Sequence, residues 1–359
     1  MRPWSPYAML GGIMFLRCVI GILVSATMFS VAAALAEPPP ITMDEAAACL
    51  GLSAEQMTEV RAGKIVSTDF RELSDKELAI TVAMLVDRPI ADVATAVRET
   101  GLLEADPNII RFRALGDADP KDADFASIEF TKDETGEVHD LLAAKPGSAF
   151  NLSPAEIEAF EALHARFPEA CDVSCSAAVV EAYRKVLIAR LRAYRGGGTD
   201  AIAPYVRTGG KLVKPGDELR AAAQGCPLVQ ERFPNVIQAF VDYPQRAVAG
   251  ITSRFFWIKQ RVQDRPAFVL VHRLLFERPG AFLGMERQFY VGHSYNSLLV
   301  MSGCLGIGNQ TLVFYINRTS TDQVAGFPRD ARHSLGRKHM RAEIIASLEK
   351  IRARYERAP

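Results

Sequence analysis

The clearest patterning of apolar and polar positions lies between Arg254 and Val324. Four runs rich in Phe, Val, Leu and Tyr occupy 254–262, 266–277, 284–295 and 311–324, and short turns separate them. A longer apolar piece, SLLVMSGCLGI, stands between the third and the fourth. Aromatic and β-branched runs bounded by Gly, Pro, Asp and Asn predict strands of an antiparallel sheet. Beyond them, Met340, Ile344, Leu348, Ile351 and Tyr355 recur at helical spacing over 337–356, opposite a face of Arg, Lys and Glu. A stripe of that width needs a surface to cover, and the preceding sheet is the nearest one.

Upstream, short helices are predicted over 43–50 and 54–61, the second opened by Ser53 and Gln56 at capping-box spacing. KIVSTDF (64–70) and ELAITVAMLV (77–86) read as strands, with Leu78, Ile80, Val82 and Met84 alternating. Pro89 opens a helix from Ile90 to about Thr100, ended by Gly101, and NIIRFRAL (108–115) returns as a strand. Residues 64–117 thus form a strand–strand–helix–strand unit too small to stand alone.

From 118 to 150 the chain is polar and acidic, and helices are predicted over 153–166, 176–194, 217–223 and 228–242. Segment 118–250 therefore reads as a loop and helical insert between 64–117 and 251–359. Its longest helix sets Val179, Tyr183, Val186, Leu187 and Leu191 against a face of Arg184, Lys185, Arg190, Arg192 and Arg195. That basic face is expected to be solvated or paired to the acidic loops before it. The glycines at 196–198 follow a helix instead of preceding one, which excludes a phosphate loop.

Composition narrows the function classes. With 49% apolar and 23% charged residues among 359, the chain has ample core material. Lys plus Arg equals Asp plus Glu at 42 each, so no net field draws it to nucleic acid. Residues 1–36 read as a signal peptide: Arg17, an apolar run from Cys18, then Ala34-Leu35-Ala36. A stiff EPPP stretch and the short helices fill 37–63. The expected mature protein is exported, periplasmic or secreted, slightly acidic, and has no membrane span. It keeps Cys49, Cys171, Cys175, Cys226 and Cys304. No histidine or second cysteine pair lies at ligand spacing from Cys171 and Cys175, so a local disulfide or buried thiols are favoured over a metal. No metal and no cofactor are expected.

The phrases VDRPIADVATAVRETGLLEADPNIIRFRAL (86–115) and SLGRKHMRAEIIASLEKIRARY (334–355) resemble parts of the START-like helix-grip fold. The first is similar to its strand, proline turn, helix and returning strand; the second resembles its gripping helix. The likeness covers 64–115 plus 251–356 and leaves 118–250 without counterpart. It implies an α+β fold in which a curved antiparallel sheet is gripped by a long C-terminal helix. It also implies a hydrophobic cavity between the two, holding a lipid or other apolar small molecule. ERQFYVGHSYNS and NRTSTDQVAGF resemble stretches of exported bacterial proteins of no assigned function, which adds nothing about activity.

Several polar residues interrupt the strand runs: Lys259, His272, Arg273, Glu286, Arg287, His293, Tyr295, Asn317 and Arg318 are the candidate ligand-binding set. Alternation places His272 with Phe268, Leu270, Leu274 and Phe276, and Arg318 with Leu312, Phe314 and Ile316. It places Arg287 and His293 with Phe289 and Val291. A charge on an apolar face must be paired or must face a wet cavity. Such residues are therefore either structural ion pairs, as of Glu286 or Glu277 with Arg273 or Arg318, or groups that orient a ligand. GHSYN (292–296) departs from the serine-hydrolase elbow, because Asn296 stands where a second glycine is required. Alternation also sends His293 and Ser294 to opposite faces, so His293 is not expected to act on Ser294; a bulge or turn at Gly292 is. The leading expectation is an exported small-molecule binding protein. The alternatives are a hydrolase using Ser294, or an acid–base site of His272, His293 and Glu286, and an envelope scaffold whose insert binds an envelope protein.

Overall fold

A computed structural model describes residues 41–95, 106–147, 149–167, 171–245, 248–326 and 328–357. The predicted signal peptide, the EPPP stretch, the end of the helix after Pro89 and the side chain of Tyr355 lie outside the described part.

Helices α1 (Met43–Leu50) and α2 (Ala54–Arg61) are each opened by a reciprocal capping box, Thr42 with Glu45 and Ser53 with Gln56. Strands β1 (Val66–Asp69) and β2 (Glu77–Val86) follow, then α3 from residue 90, helical through 95, and β3 (Ile109–Leu115). The insert holds α4 (Asp122–Phe125), α5 (Thr135–Leu142), α6 (Pro154–His164) and the long α7 (Val173–Gly197). It continues with the small pair β4 (Tyr205–Val206) and β5 (Leu212–Val213), then α8 (Pro215–Gln224), α9 (Pro227–Arg232) and α10 (Pro234–Val241). Five long strands come next: β6 (Ile251–Val262), β7 (Arg265–Arg278), β8 (Ala281–Val291), β9 (Ser297–Ile307) and β10 (Gln310–Ser320). Helix α11 (Arg329–Arg357) closes the chain and begins earlier than its apolar stripe predicts.

Eight strands form one antiparallel sheet in the order β1-β2-β10-β9-β8-β7-β6-β3. The apolar piece SLLVMSGCLGI is itself a strand, β9, lying between β8 and β10 in the meander. Between β6 and β7, Gln263 and Asp264 both take positive φ, 51° and 63°, the mirror-image turn that matches strand twist. The molecule is α+β.

Along β2 and β7 to β10 both faces of the sheet are largely buried, which explains why these strands read as nearly continuous apolar runs. On one face, Phe255, Trp257, Phe268, Leu270, Leu283, Met285, Met301 and Phe314 share a single core with the insert helices and with α1 and α2. On the other, Ile80, Val82, Met84, Phe282, Cys304 and Val313 cluster with Leu348, flanked by Met340, Ile344, Ile345 and Ile351 of α11. Gly336 permits close approach of this helix, because a Cβ there would lie 2.7 Å from Leu78 Cδ1 on β2.

Alternation holds along the meander except at one place. Leu270 pairs with Tyr290 but Val271 pairs with Gln288, so Phe289 is an extra residue, a β-bulge. Phe289 and Tyr290 both enter the insert-side core, and Val291 turns to the opposite face beside Ile258 and Val269. The expected grouping of Val291 with Arg287 and Phe289 fails for this reason, and the bulge sits at Phe289, upstream of Gly292.

The basic face of α7 holds the acidic loop before it. Arg192 binds both carboxylate oxygens of Asp119 at 2.9 Å, Arg195 donates to the carbonyls of Gly116 and Ala118, and Arg184 donates to those of Ala126 and Ile128. Arg190 departs from that face: it is buried, paired to Glu156 at 2.6 Å, and lies over the Tyr290 ring. Cys171 and Cys175 form a disulfide, while Cys49, Cys226 and Cys304 are free thiols.

Candidate functional site

A cavity of about 840 Å³ lies between the sheet and α11. Strand alternation decides its floor, as one parity of each strand supplies it: Ile258 and Gln260 of β6, Arg273 and Leu275 of β7, Gly284, Glu286 and Gln288 of β8, Val300 and Ser302 of β9, Tyr315 and Asn317 of β10. Leu335, Met340, Ile344 and Leu348 of α11 roof it. A Cβ at Gly284 would lie 3.3 Å from Ser302 Oγ and 3.5 Å from Leu275 Cδ2, so the small residues at 284 and 302 keep this part of the floor low.

Two polar arrangements stand in this apolar space. Arg273 donates from Nε and Nη2 to Glu286 Oε2, at 2.9 and 2.5 Å, so the one cation on the floor of β7 is neutralised in place. The Tyr295 hydroxyl donates to Gln288 Oε1 at 2.5 Å and accepts from Gln260 Nε2 at 2.7 Å, a chain of uncharged groups. Burial raises the phenol pKa of Tyr295, which keeps that hydroxyl protonated. At the rim, the side-chain amides of Gln263 and Gln323 bond reciprocally, at 2.7 and 3.2 Å, and both residues are exposed. Gln263 follows β6 and Gln323 follows β10, strands that β7, β8 and β9 separate in the sheet.

Of the residues predicted to bind a ligand, Arg273, Glu286, Tyr295 and Asn317 line the cavity. Lys259, His272, Arg287, His293 and Arg318 do not, and each packs on a residue of the insert. Lys259 pairs with Glu134 at 2.6 Å and donates to the Glu129 carbonyl. Arg318 meets both carboxylate oxygens of Glu77 at 2.9 Å and donates to the carbonyls of Gly225 and Arg71. Its partner is thus Glu77 on the neighbouring β2, not Glu277 or Glu286. His272 lies flat on Phe255 and meets Tyr194 Oη at 2.7 Å and Ser253 Oγ at 2.8 Å. Burial, then the charges of Arg287 and Arg195, hold its pKa well below the usual histidine value. Arg287 donates to the Phe240 carbonyl and sits 3.5 Å over the Phe240 ring.

The connection from β8 to β9 differs from the sequence expectation. Strand β8 ends at Val291, and Ser294 has φ 73°, so the residues at 293 and 294 do not alternate as strand neighbours do. Ser294 Oγ lies 2.7 Å from His293 Nδ1, and Ser294 lines the cavity. The expectation that His293 and Ser294 point apart is overturned by this turn.

Gln260, Ser302, Thr319 and the Gln263–Gln323 pair are cavity residues that sequence reasoning missed. The usable signal was parity: Gln260 shares a face with Ile258, and Ser302 with Val300, so grouping polar residues by face, and not by how apolar their neighbours are, would have found them.

No protein-family profile and no curated protein matches the chain. Its functional reading rests on the geometry. Among the described residues, no helix is long and apolar enough to cross a membrane, and no three His, Cys, Asp or Glu side chains gather as a metal site requires.

Proposed function

We propose that the protein binds a lipid-like or other apolar small molecule in the cavity between the sheet and α11. The observation that carries this is the cavity: about 840 Å³, in the size range of small-molecule sites, in a position where a close-packed core would leave only small voids. In this reading the molecule is a START-like helix-grip protein whose sheet curls around the ligand under the closing helix. The Gln263–Gln323 contact supports the curl. Four interstrand steps in a flat sheet amount to about 19 Å, at about 4.8 Å each, farther than two glutamine side chains reach.

The polar groups favour a ligand with an uncharged polar end. Arg273 is already neutralised by Glu286, and the Gln260–Tyr295–Gln288 chain offers hydrogen bonds without charge. The apolar remainder would lie along Ile258, Leu275, Val300 and the underside of α11. The reading also places this binder outside the cytoplasm, on the strength of residues 1–36.

Solvent extraction of the purified protein followed by mass spectrometry tests the proposal, together with binding of a fluorescent fatty-alcohol probe. The expected result is a co-purified amphiphile, or saturable probe binding weakened by Leu348→Trp. Absence of both in well-folded protein overturns it.

A further inference from the structure

We propose that Ser294 and His293 form a nucleophile–base pair at the edge of the cavity, and that the protein hydrolyses an acyl ester whose chain occupies that cavity. The substrate class rests on the binding reading above; the pair itself rests on its own geometry. Ser294 is half-buried, lines the cavity, and has φ 73°, a backbone region that side chains other than glycine and asparagine rarely adopt. The fold alone would be served better by glycine here. A turn that holds a serine in this conformation is a strained position of the kind found at functional sites.

The strain is held by fixed contacts. The Ser294 carbonyl accepts from Thr321 Oγ1 at 2.9 Å, and the Asn296 N–H donates to the Ser320 carbonyl at 2.7 Å. The buried Asn151 side chain donates to the carbonyls of Val291 and Tyr295 at 2.8 and 2.7 Å.

Hydrogen-bond logic settles the proton positions. His293 Nε2 lies 3.1 Å from the Pro266 carbonyl, which can only accept, so Nε2 carries the proton of the neutral ring. Nδ1 is then a bare lone pair, and the hydroxyl 2.7 Å away donates to it. This is the arrangement a general base requires, with a backbone carbonyl doing the orienting that a carboxylate does in a triad. The ring is fully buried, edge-on to Phe150. The charged groups facing it are Arg265 of β7 and Glu137 of α5, which are paired to one another. Burial and the Arg265 charge lower the His293 pKa, keeping the ring neutral at ordinary pH.

In the reaction, Ser294 Oγ attacks the ester carbonyl carbon as its proton passes to His293 Nδ1. The C–O bond to the alcohol breaks, and His293 returns the proton to the departing alkoxide. Water, deprotonated by the same Nδ1, then hydrolyses the acyl-serine and regenerates both groups. Gln263 and Gln323, which line the same cavity, each keep one amide N–H beyond their reciprocal bond as a donor.

The test treats the full chain with a fluorophosphonate probe and maps the adduct, alongside hydrolysis of p-nitrophenyl esters of increasing acyl length. The expected adduct is on Ser294, absent in Ser294→Ala, and His293→Gln lowers both labelling rate and turnover roughly 100-fold or more. Ser294→Gly, which suits the backbone conformation, serves if the alanine variant fails to fold. Binding of a fluorescent fatty-alcohol probe is measured on the wild-type protein in parallel, which separates chemistry from binding. Protein that binds that probe yet gives no Ser294 adduct overturns the pair, as does labelling that His293→Gln leaves unchanged. Labelling at Ser294 in protein that binds no fatty probe upholds the pair and overturns the acyl-chain substrate.

Discussion

Glu286→Gln tests what the cavity selects. Arg273 Nε and Nη2 both bond to Glu286 Oε2, and the two side chains are only 16% and 12% exposed. The guanidinium also lies 5.2 Å over the Phe256 ring, which fixes its plane. While Glu286 is charged, the Arg273 guanidinium is already occupied, and a ligand carboxylate beside it meets a like charge. Glutamine keeps the shape but removes that charge, so a ligand carboxylate can become the acceptor for Arg273. A charge-assisted hydrogen bond is worth about 1.5–3 kcal/mol, or about 10- to 150-fold in affinity. Stability should fall by no more than about 3 kcal/mol, the low end for breaking a buried pair, because the guanidinium still borders a cavity that admits water. The assay is competition of a fatty acid and its methyl ester against a fluorescent fatty probe, on wild type and variant. The acid-to-ester preference should rise by the factor above. An unchanged ratio, with both ligands still binding, would mean that Arg273 does not meet the ligand's polar end.

Glu77→Gln leaves Arg318 buried without its carboxylate, and urea unfolding should show a loss of about 3–5 kcal/mol; the double change Glu77→Leu with Arg318→Met should recover most of it. Full stability in the single variant would refute the pairing. His272 and His293 both have pKa values held below 6.5, first by burial and then by neighbouring arginines, so below about pH 6.5 the unfolded chain binds more protons than the folded one. Stability should therefore fall as pH drops through that value, by up to about 1.4 kcal/mol per unit for each histidine, and His272→Gln should roughly halve the slope of urea midpoint against pH. Gly303→Ala should cost about 1–3 kcal/mol in thermal unfolding, since a Cβ there would sit 2.7 Å from both the Phe282 carbonyl oxygen and the Phe314 ring, whereas Gly116→Ala meets nothing and should be neutral.

The local rules read much of this molecule correctly. The Ser53–Gln56 capping pair located α2, and the stripe of Met340, Ile344 and Leu348 identified the helix that roofs the cavity. What alternation could not carry was any place where the chain stops alternating. The bulge at Phe289 reverses the parity of Tyr290 and Val291, and the turn at Ser294 brings together two side chains that a strand would send apart. Strand β9 was obscured because burial on both faces removes the polar half of the pattern. The roles of Lys259 and Arg318 were hidden for a different reason. Their partners, Glu134 and Glu77, lie far away in sequence, and only tertiary structure brings an acid to a buried base. The insert, which the resemblance left without counterpart, supplies the second half of the core on one sheet face.

The strand order carries a consequence for how the chain acquires its structure. The central five strands are sequential hairpins and can assemble from their own turns as soon as they exist. The strands made first are placed last: β2 has no inner neighbour until β10 arrives, with Val86 opposite Thr311, and β3 waits for β6. Throughout synthesis of the insert, ELAITVAMLV is therefore an apolar segment of high strand propensity with no partner but β1. Nascent or truncated chains that lack the last strands should be the aggregating species, and a chaperone that shields residues 77–86 should matter more to yield than any change in final stability.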